Sequence, residues 1–138
     1  MDKIILDTSY IYAIFDTTEP KHKAAYEFSR RNRLPLVMPD VVLVEASFFF
    51  RRAGGIPAVV GFLDHLMKAG IQFEPVNLSD LARIRQIMHT YADSKLDMAD
   101  CCMMALAERL NITRVATFDR RDFAIFRPTH CPTLELLP

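Results

Sequence analysis

Little in this sequence points to disulfides, zinc or a global charge field. The cysteines, Cys101, Cys102 and Cys131, are odd in number and contain no Cys-x-x-Cys spacing. No disulfide framework is expected, and the thiols read as small reduced residues of a cytoplasmic protein. The histidines (His22, His65, His89, His130) show no ligand spacing such as His-x-x-x-His. Glycine is scarce, and no glycine-rich loop is present to cradle a phosphate. Formal net charge is zero, so no overall field draws the chain onto nucleic acid or membrane. No apolar run approaches the roughly 20 residues of a membrane span. The run Ile4 to Leu6 is too short for a secretory core and ends in an acid, which again favours the cytoplasm.

What is present is an ordinary globular composition: 138 residues, 51% hydrophobic and 25% charged. That length predicts a single domain over residues 1–138. Lys3-Ile4-Ile5-Leu6-Asp7 is an uninterrupted apolar run ending in an acid, which suits a strand buried on both faces. Thr8 or Ser9 is then placed to cap a helix through Phe15. A second helix is expected from Lys21 to Arg31, with Ala24, Tyr26 and Phe28 on its apolar side. Leu36 to Met38 reads as a strand, and Asp40 as the cap of a helix over Val41–Arg52. Gly54-Gly55 breaks that helix, and Pro57 starts the next, to about Lys68. A strand over Ile71–Val76 and a helix to Ala92 follow, with Leu81, Ile84, Ile87 and Met88 as its apolar face. Leu96 to Leu110 is rich in strong helix formers, with Met98, Cys102, Leu106 and Leu110 repeating every four residues. Arg114–Asp119 is another strand ending in an acid, and Thr133–Leu137 a last edge strand. Alternating strands and helices predict an α/β domain, a mainly parallel sheet with helices on both faces.

In such sheets the functional crevice lies beyond the carboxyl ends of the strands. Asp7 and Asp119 fall at those ends, and Asp100 falls at a helix N-terminus facing the same rim. Asp97 and Asp100, three residues apart, share a face at the start of that helix. Glu45 stands in the apolar segment Val41 to Phe50, where a lone carboxylate is costly unless paired, ligated or wet. Carboxylates brought together repel one another and raise each other's pKa, and a divalent cation relieves that repulsion. An oxygen-only set suits Mg²⁺ or Mn²⁺ rather than zinc. Such an ion could orient and acidify a water and neutralise charge on a phosphodiester. Arg51-Arg52 and Arg120-Arg121 are candidates to hold a phosphate backbone, and Arg30, Arg31 and Arg33 form a further basic cluster.

The motifs themselves carry a resemblance. Ile4-Ile5-Leu6-Asp7-Thr8-Ser9, Pro39 to Glu45, Met98-Ala99-Asp100-Cys101 with Ala105 to Leu110, and Val115 to Phe123 resemble the acidic motifs of PIN-domain nucleases, in order and spacing. The compact length is similar to that of VapC-like toxins. The resemblance implies a PIN-like fold and a metal-dependent endoribonuclease acting on structured RNA. It implies Asp7 and Asp100 as primary metal ligands, Glu45 and Asp119 as completing the set, and Asp97 as auxiliary. Thr8, Ser9 and Thr117 are then hydroxyls that orient the carboxylates. It further implies a homodimer and a small antitoxin that blocks the site, and the apolar surface expected near Phe48 to Phe50 is a candidate to hold the dimer or the antitoxin. Cys101-Cys102 departs from the family, where smaller residues are commoner. A haloacid-dehalogenase-like phosphatase would want an acid where Ser9 stands, and a receiver domain lacks its adjacent acids here. A catalytically silent RNA-binding or scaffold version of the fold is the alternative, and it leaves a repulsive acid cluster without a purpose.

Overall fold

The computed structural model describes residues 2–138. Five parallel strands form one sheet in the order β3-β2-β1-β4-β5. They are β1 (Ile4–Leu6), β2 (Leu36–Pro39), β3 (Gln72–Glu74), β4 (Arg114–Ala116) and β5 (Glu135–Leu137). The helices are α1 (Thr8–Phe15), α2 (His22–Arg31), α3 (Asp40–Lys68), α4 (Leu81–Thr90), α5 (Met98–Arg109) and α6 (Arg120–Ile125). Ile4, Ile5 and Leu6 are all buried, as are Val37 and Met38 and then Val115 and Ala116. Consecutive buried residues point to opposite faces, so the central strands are covered on both sides. The crossovers from β1 to β2 to β3 run one way and those from β3 to β4 to β5 run back. Right-handed connections then put helices on both faces and leave a switch point between β1 and β4.

α5 is the best-buried helix: every residue from Ala99 to Ala107 is out of solvent. Cys101 and Cys102 are thus fully buried free thiols that act as small core residues. Met98 is not on the buried face as its spacing predicts; it is 54% exposed, because it opens the helix at the rim. Ion pairs tie the far end of α5 down. The Arg83 guanidinium on α4 meets Glu108 at 2.7 and 2.9 Å. The Arg109 guanidinium donates to Asp80 at 2.8 and 3.2 Å and to the Pro75 carbonyl at 3.0 Å. Asp80 also closes a capping box with Asn77 before α4.

Several local expectations are corrected. In α2 the inward residues are Ala25 and Phe28, whereas Ala24 and Tyr26 face out. In α4 only Ile84 and Ile87 are fully buried, and Leu81 is 50% exposed because the helix begins there. The cap position of α1 is held by Asp7 rather than by Thr8 or Ser9, and the Ser9 hydroxyl donates to Asp7 instead. Asp40 is the first residue of α3 and not its cap; its carboxylate accepts from the Val76 amide at 3.2 Å. The break at Gly54-Gly55 is real: Gly55 has φ +72°, in the left-handed region that favours glycine, and α3 resumes beyond it with Pro57 in its first turn. β4 stops at Ala116, short of Asp119, and β3 and β5 are shorter than expected. Among the described residues, no helix is long and apolar enough to cross a membrane.

Asp80 is 4% exposed, so removing its guanidinium partner strands a buried charge. Arg109→Ala is expected to destabilise the fold by about 3 kcal/mol in urea titration. Arg114→Ala, which loses only surface partners in Asp2 and Glu135, is expected to shift the urea midpoint far less.

Candidate functional site

Chain ends converge at the switch point. β1 ends at Leu6, and the Asp7 amide bonds to the Ala116 carbonyl at the end of β4 at 3.0 Å. This brings Asp7 and Thr117 side by side across the crevice. Asp7 Oδ2 accepts from Ser9 Oγ and from Thr117 Oγ1, both at 2.7 Å. Ser9 Oγ in turn accepts from the Phe118 amide, and Thr117 Oγ1 from the Asp119 amide, each at 2.9 Å. Two hydroxyls therefore fix the Asp7 carboxylate and the turn that carries Asp119.

The other acids arrive on helix starts. Asp97 caps α5 by accepting from the Asp100 amide at 2.9 Å, which sets Asp100 in the first turn. Asp119 occupies the cap position of α6, and Glu45 sits in the second turn of α3. A cavity of about 320 Å³ is lined by Asp7, Thr8, Ser9, Glu45, Asp97, Asp100 and Asp119, together with Tyr12, Glu19, Lys21, Phe49 and Phe118. The expected acids thus share one cavity. The tight group among the described residues is a different trio: one carboxylate oxygen each of Asp100, Asp119 and Asp122 lies within 4.8 Å of the others. Asp122 is the residue the sequence reading missed. The signal was there, since it stands three residues after Asp119, in the first turn of the helix that Asp119 precedes. The arginines Arg51, Arg52, Arg120 and Arg121 are exposed and do not line the cavity. The Arg120 guanidinium is engaged with the Pro138 carbonyl.

Burial and like charge oppose ionisation here. Asp7 and Asp100 are 4% and 6% exposed. Burial raises the Asp7 carboxyl above its ordinary value, and the Thr117 and Ser9 hydroxyls pull the other way. Asp100 is pushed up to about 9 by burial and then by Asp97, Asp7 and Asp119. Asp119 is raised by burial and then by Asp122, Asp7 and Asp97. Glu45 is raised by burial, with the Thr8 hydroxyl opposing and Asp97 and Asp7 adding. Thr8 Oγ1 has no partner at hydrogen-bond geometry, so it acts on Glu45 as a nearby dipole rather than through a formed bond. Among the described residues, no lysine or arginine stands within ion-pair distance of Asp7, Glu45, Asp97, Asp100 or Asp119.

A divalent cation fits these observations. The donors are all oxygen, these acids form no ion pair among the described residues, and Thr8 Oγ1 is a buried polar atom on the cavity wall with no partner. Fold and site together define a parallel α/β protein with an oxygen-only acidic cavity at its switch point. The chain belongs to the PIN-domain family, whose profile matches residues 4–127. It is 28% identical over 135 residues to ribonuclease VapC26 of Mycobacterium tuberculosis, covering 98% of this chain and 100% of that protein. Its fold is similar to that of Mycobacterium tuberculosis VapC20, described as a sarcin-ricin loop cleaving toxin, with TM-score 0.78 and 18% identity over 85% of this chain and 90% of that one. It is also similar to DNA-bound VapBC from Salmonella typhimurium, with TM-score 0.71 and 13% identity over 99% of this chain and 97% of that one.

Asp100 holds its proton to about pH 9 when folded, whereas an unfolded Asp releases it near pH 4. Between those values the folded state binds more protons, so metal-free stability falls as pH rises. In EDTA, melting temperature is expected to drop from about pH 6 to about pH 8, and Asp100→Asn is expected to reduce that drop and stabilise the protein at the upper end. An equal slope in both proteins would overturn the assignment.

Proposed function

We propose that this chain is a divalent-metal-dependent endoribonuclease and the toxin of a toxin–antitoxin pair. The observation that carries this reading is the convergence of Asp7, Glu45, Asp97, Asp100 and Asp119 from four separate segments into one cavity, none of them ion-paired to a lysine or arginine among the described residues. The named ribonuclease relative supports RNA as the substrate, and the VapC and VapBC neighbours support the toxin role. Asp7 and Asp100 are the primary ligands for Mg²⁺ or Mn²⁺, with Glu45 and Asp119 completing the set and Asp122 within reach. Asp97 is auxiliary and positions Asp100 through its cap. Thr8, Ser9 and Thr117 orient the carboxylates. The ion, when bound, neutralises charge on the phosphodiester and acidifies the attacking water.

The chain's own residues do the rest. Ser9 and Thr117 hold Asp7 in one orientation, so ligand geometry is set before binding. Arg51, Arg52 and Arg121 are exposed and are the candidates to meet backbone phosphates outside the cavity, and Arg120 is braced against Pro138. On α3 the apolar side chains Val44, Phe48, Ile56, Val60, Leu63 and Met67 remain exposed, which supports burial against a second copy and an antitoxin. Phe50, by contrast, is core, so the apolar surface near it is carried by Phe48. The cytoplasm is the compartment that brings such an enzyme to its RNA.

Cleavage of total cellular RNA with Mn²⁺ or Mg²⁺ tests the reading. Discrete fragments are expected that vanish in EDTA and fall by roughly 100-fold or more in Asp100→Asn. Saturating Mn²⁺ is expected to raise the melting temperature of the native protein, since about 100 times Kd adds about 2.7 kcal/mol. Metal binding without cleavage of any RNA would favour the silent scaffold. Thr117→Val is expected to keep the fold and lose about 10–100-fold in activity or metal affinity.

A further inference from the structure

The cavity has a second wall that the acids do not explain. Opposite in character to the carboxylates are Tyr12, Phe49 and Phe118, with Lys21 the one cation among the lining residues. Tyr12 and Phe118 pack against the core with one side, whereas Phe49 is not part of it. Tyr12, Phe49 and Phe118 are each half-buried, whereas the neighbouring Tyr10 and Phe50 are 2% and 5% exposed. Phe49 and Phe50 are adjacent in sequence, yet only Phe50 is needed by the core, where its ring stacks on Phe62 at 4.6 Å. Phe49 instead lies one turn after Glu45 and one turn before Arg52, so acid, ring and guanidinium form a row on one face of α3. The Phe49 ring is braced edge-on by Tyr12 at 6.1 Å, and the Arg52 guanidinium lies 5.8 Å from its centroid.

An acidic wall repels phosphates, so an RNA strand entering this cavity needs uncharged attraction as well. Aromatic rings supply it by stacking on a nucleobase, an interaction that tolerates any base. A base inside a duplex already has both faces stacked, so it reaches such a wall only when unpaired or extruded. Resting on the ribonuclease reading above, we propose that Phe49, braced by Tyr12 and Arg52, is a stacking platform for an unpaired nucleobase beside the cleaved phosphate, with Lys21 meeting the neighbouring phosphate. Phe49 is thereby a specificity-determining residue that selects single-stranded positions, while the carboxylates carry the chemistry.

The binding test uses Asp100→Asn protein, so that cleavage does not interfere, and a short single-stranded RNA containing 2-aminopurine, with its duplex as control. Stacking is expected to quench the fluorescence with the single strand and not with the duplex. Phe49→Leu in that background is expected to abolish the quench and weaken binding about tenfold, and Phe49→Trp to restore both. In the otherwise native protein, Phe49→Leu is expected to slow RNA cleavage about tenfold while leaving the Mn²⁺-induced melting shift intact. An unchanged quench and cleavage rate in Phe49→Leu, or no quench in the Phe49-containing protein, would overturn the platform. A Phe49-dependent quench with no cleavage of any RNA by native protein would instead remove the ribonuclease reading and keep the platform. Loss of the Mn²⁺ shift in Phe49→Leu would make the ring a structural support of the acid site and also overturn the proposal.

Discussion

Buried negative charge at the junction of β1 and β4 is the constraint on which the rest of this structure depends. A carboxylate removed from water strongly favours its protonated form unless a partner restores the lost solvation. Here the nearby groups are other carboxylates, and burial with mutual repulsion pushes Asp100 up to about 9. Elsewhere the chain has arginines enough to pair its buried acids: Glu108 has Arg83 and Asp80 has Arg109. The site acids receive hydroxyls and backbone amides instead. Those donors orient a carboxylate without cancelling its charge, which leaves the charge available to a cation from outside.

The fold is arranged to hold that unfavourable grouping in place. β1 and β4 are neighbours through a main-chain ladder, so backbone geometry sets Asp7 and Thr117 side by side before the hydroxyls orient the carboxylate. α5 is buried along its length and anchored at its last turn by two guanidinium–carboxylate forks, which keeps its first turn, with Asp97 and Asp100, from drifting. Breaking those pairs would cost stability because their carboxylates are themselves nearly buried. Positional precision at one end of α5 is therefore maintained by ion pairs at the other.

Helix α3 joins the acid site to the surface. Its first arm carries Glu45, Phe49 and Arg52 on one face, and Val42, Ala46 and Phe50 into the core. The glycine break at Gly54-Gly55 then redirects the chain before Pro57 and the second arm. With the break, Phe62 on the second arm packs against Phe50 and Phe15.

Much of this was legible in the residues themselves. The uninterrupted apolar triplet Ile4–Leu6 ending in Asp7, the strong helix formers after Asp97 and the Gly-Gly-x-Pro break define local structure, because strand burial, capping and backbone freedom act over a few residues. The alternation of strands and helices was enough to predict a parallel α/β domain, and acids at strand ends were enough to predict a shared rim. Other features depended on packing between distant segments. Which side of α2 faced inward turned on the neighbour it met, so Ala25 was buried and Tyr26 was not. Asp40 reads as a cap and became a partner of Val76 because β3 lies beside it. Asp122 joined the tight acid group only because the start of α6 and the first turn of α5, distant in sequence, meet at the site. The sequence by itself determined which carboxylates exist and which stand at strand and helix ends, since propensity and capping are local. Tertiary structure alone decided which of them share a cavity, how far burial raises their pKa values and which aromatic rings face them, since those quantities depend on long-range contact and on the exclusion of water.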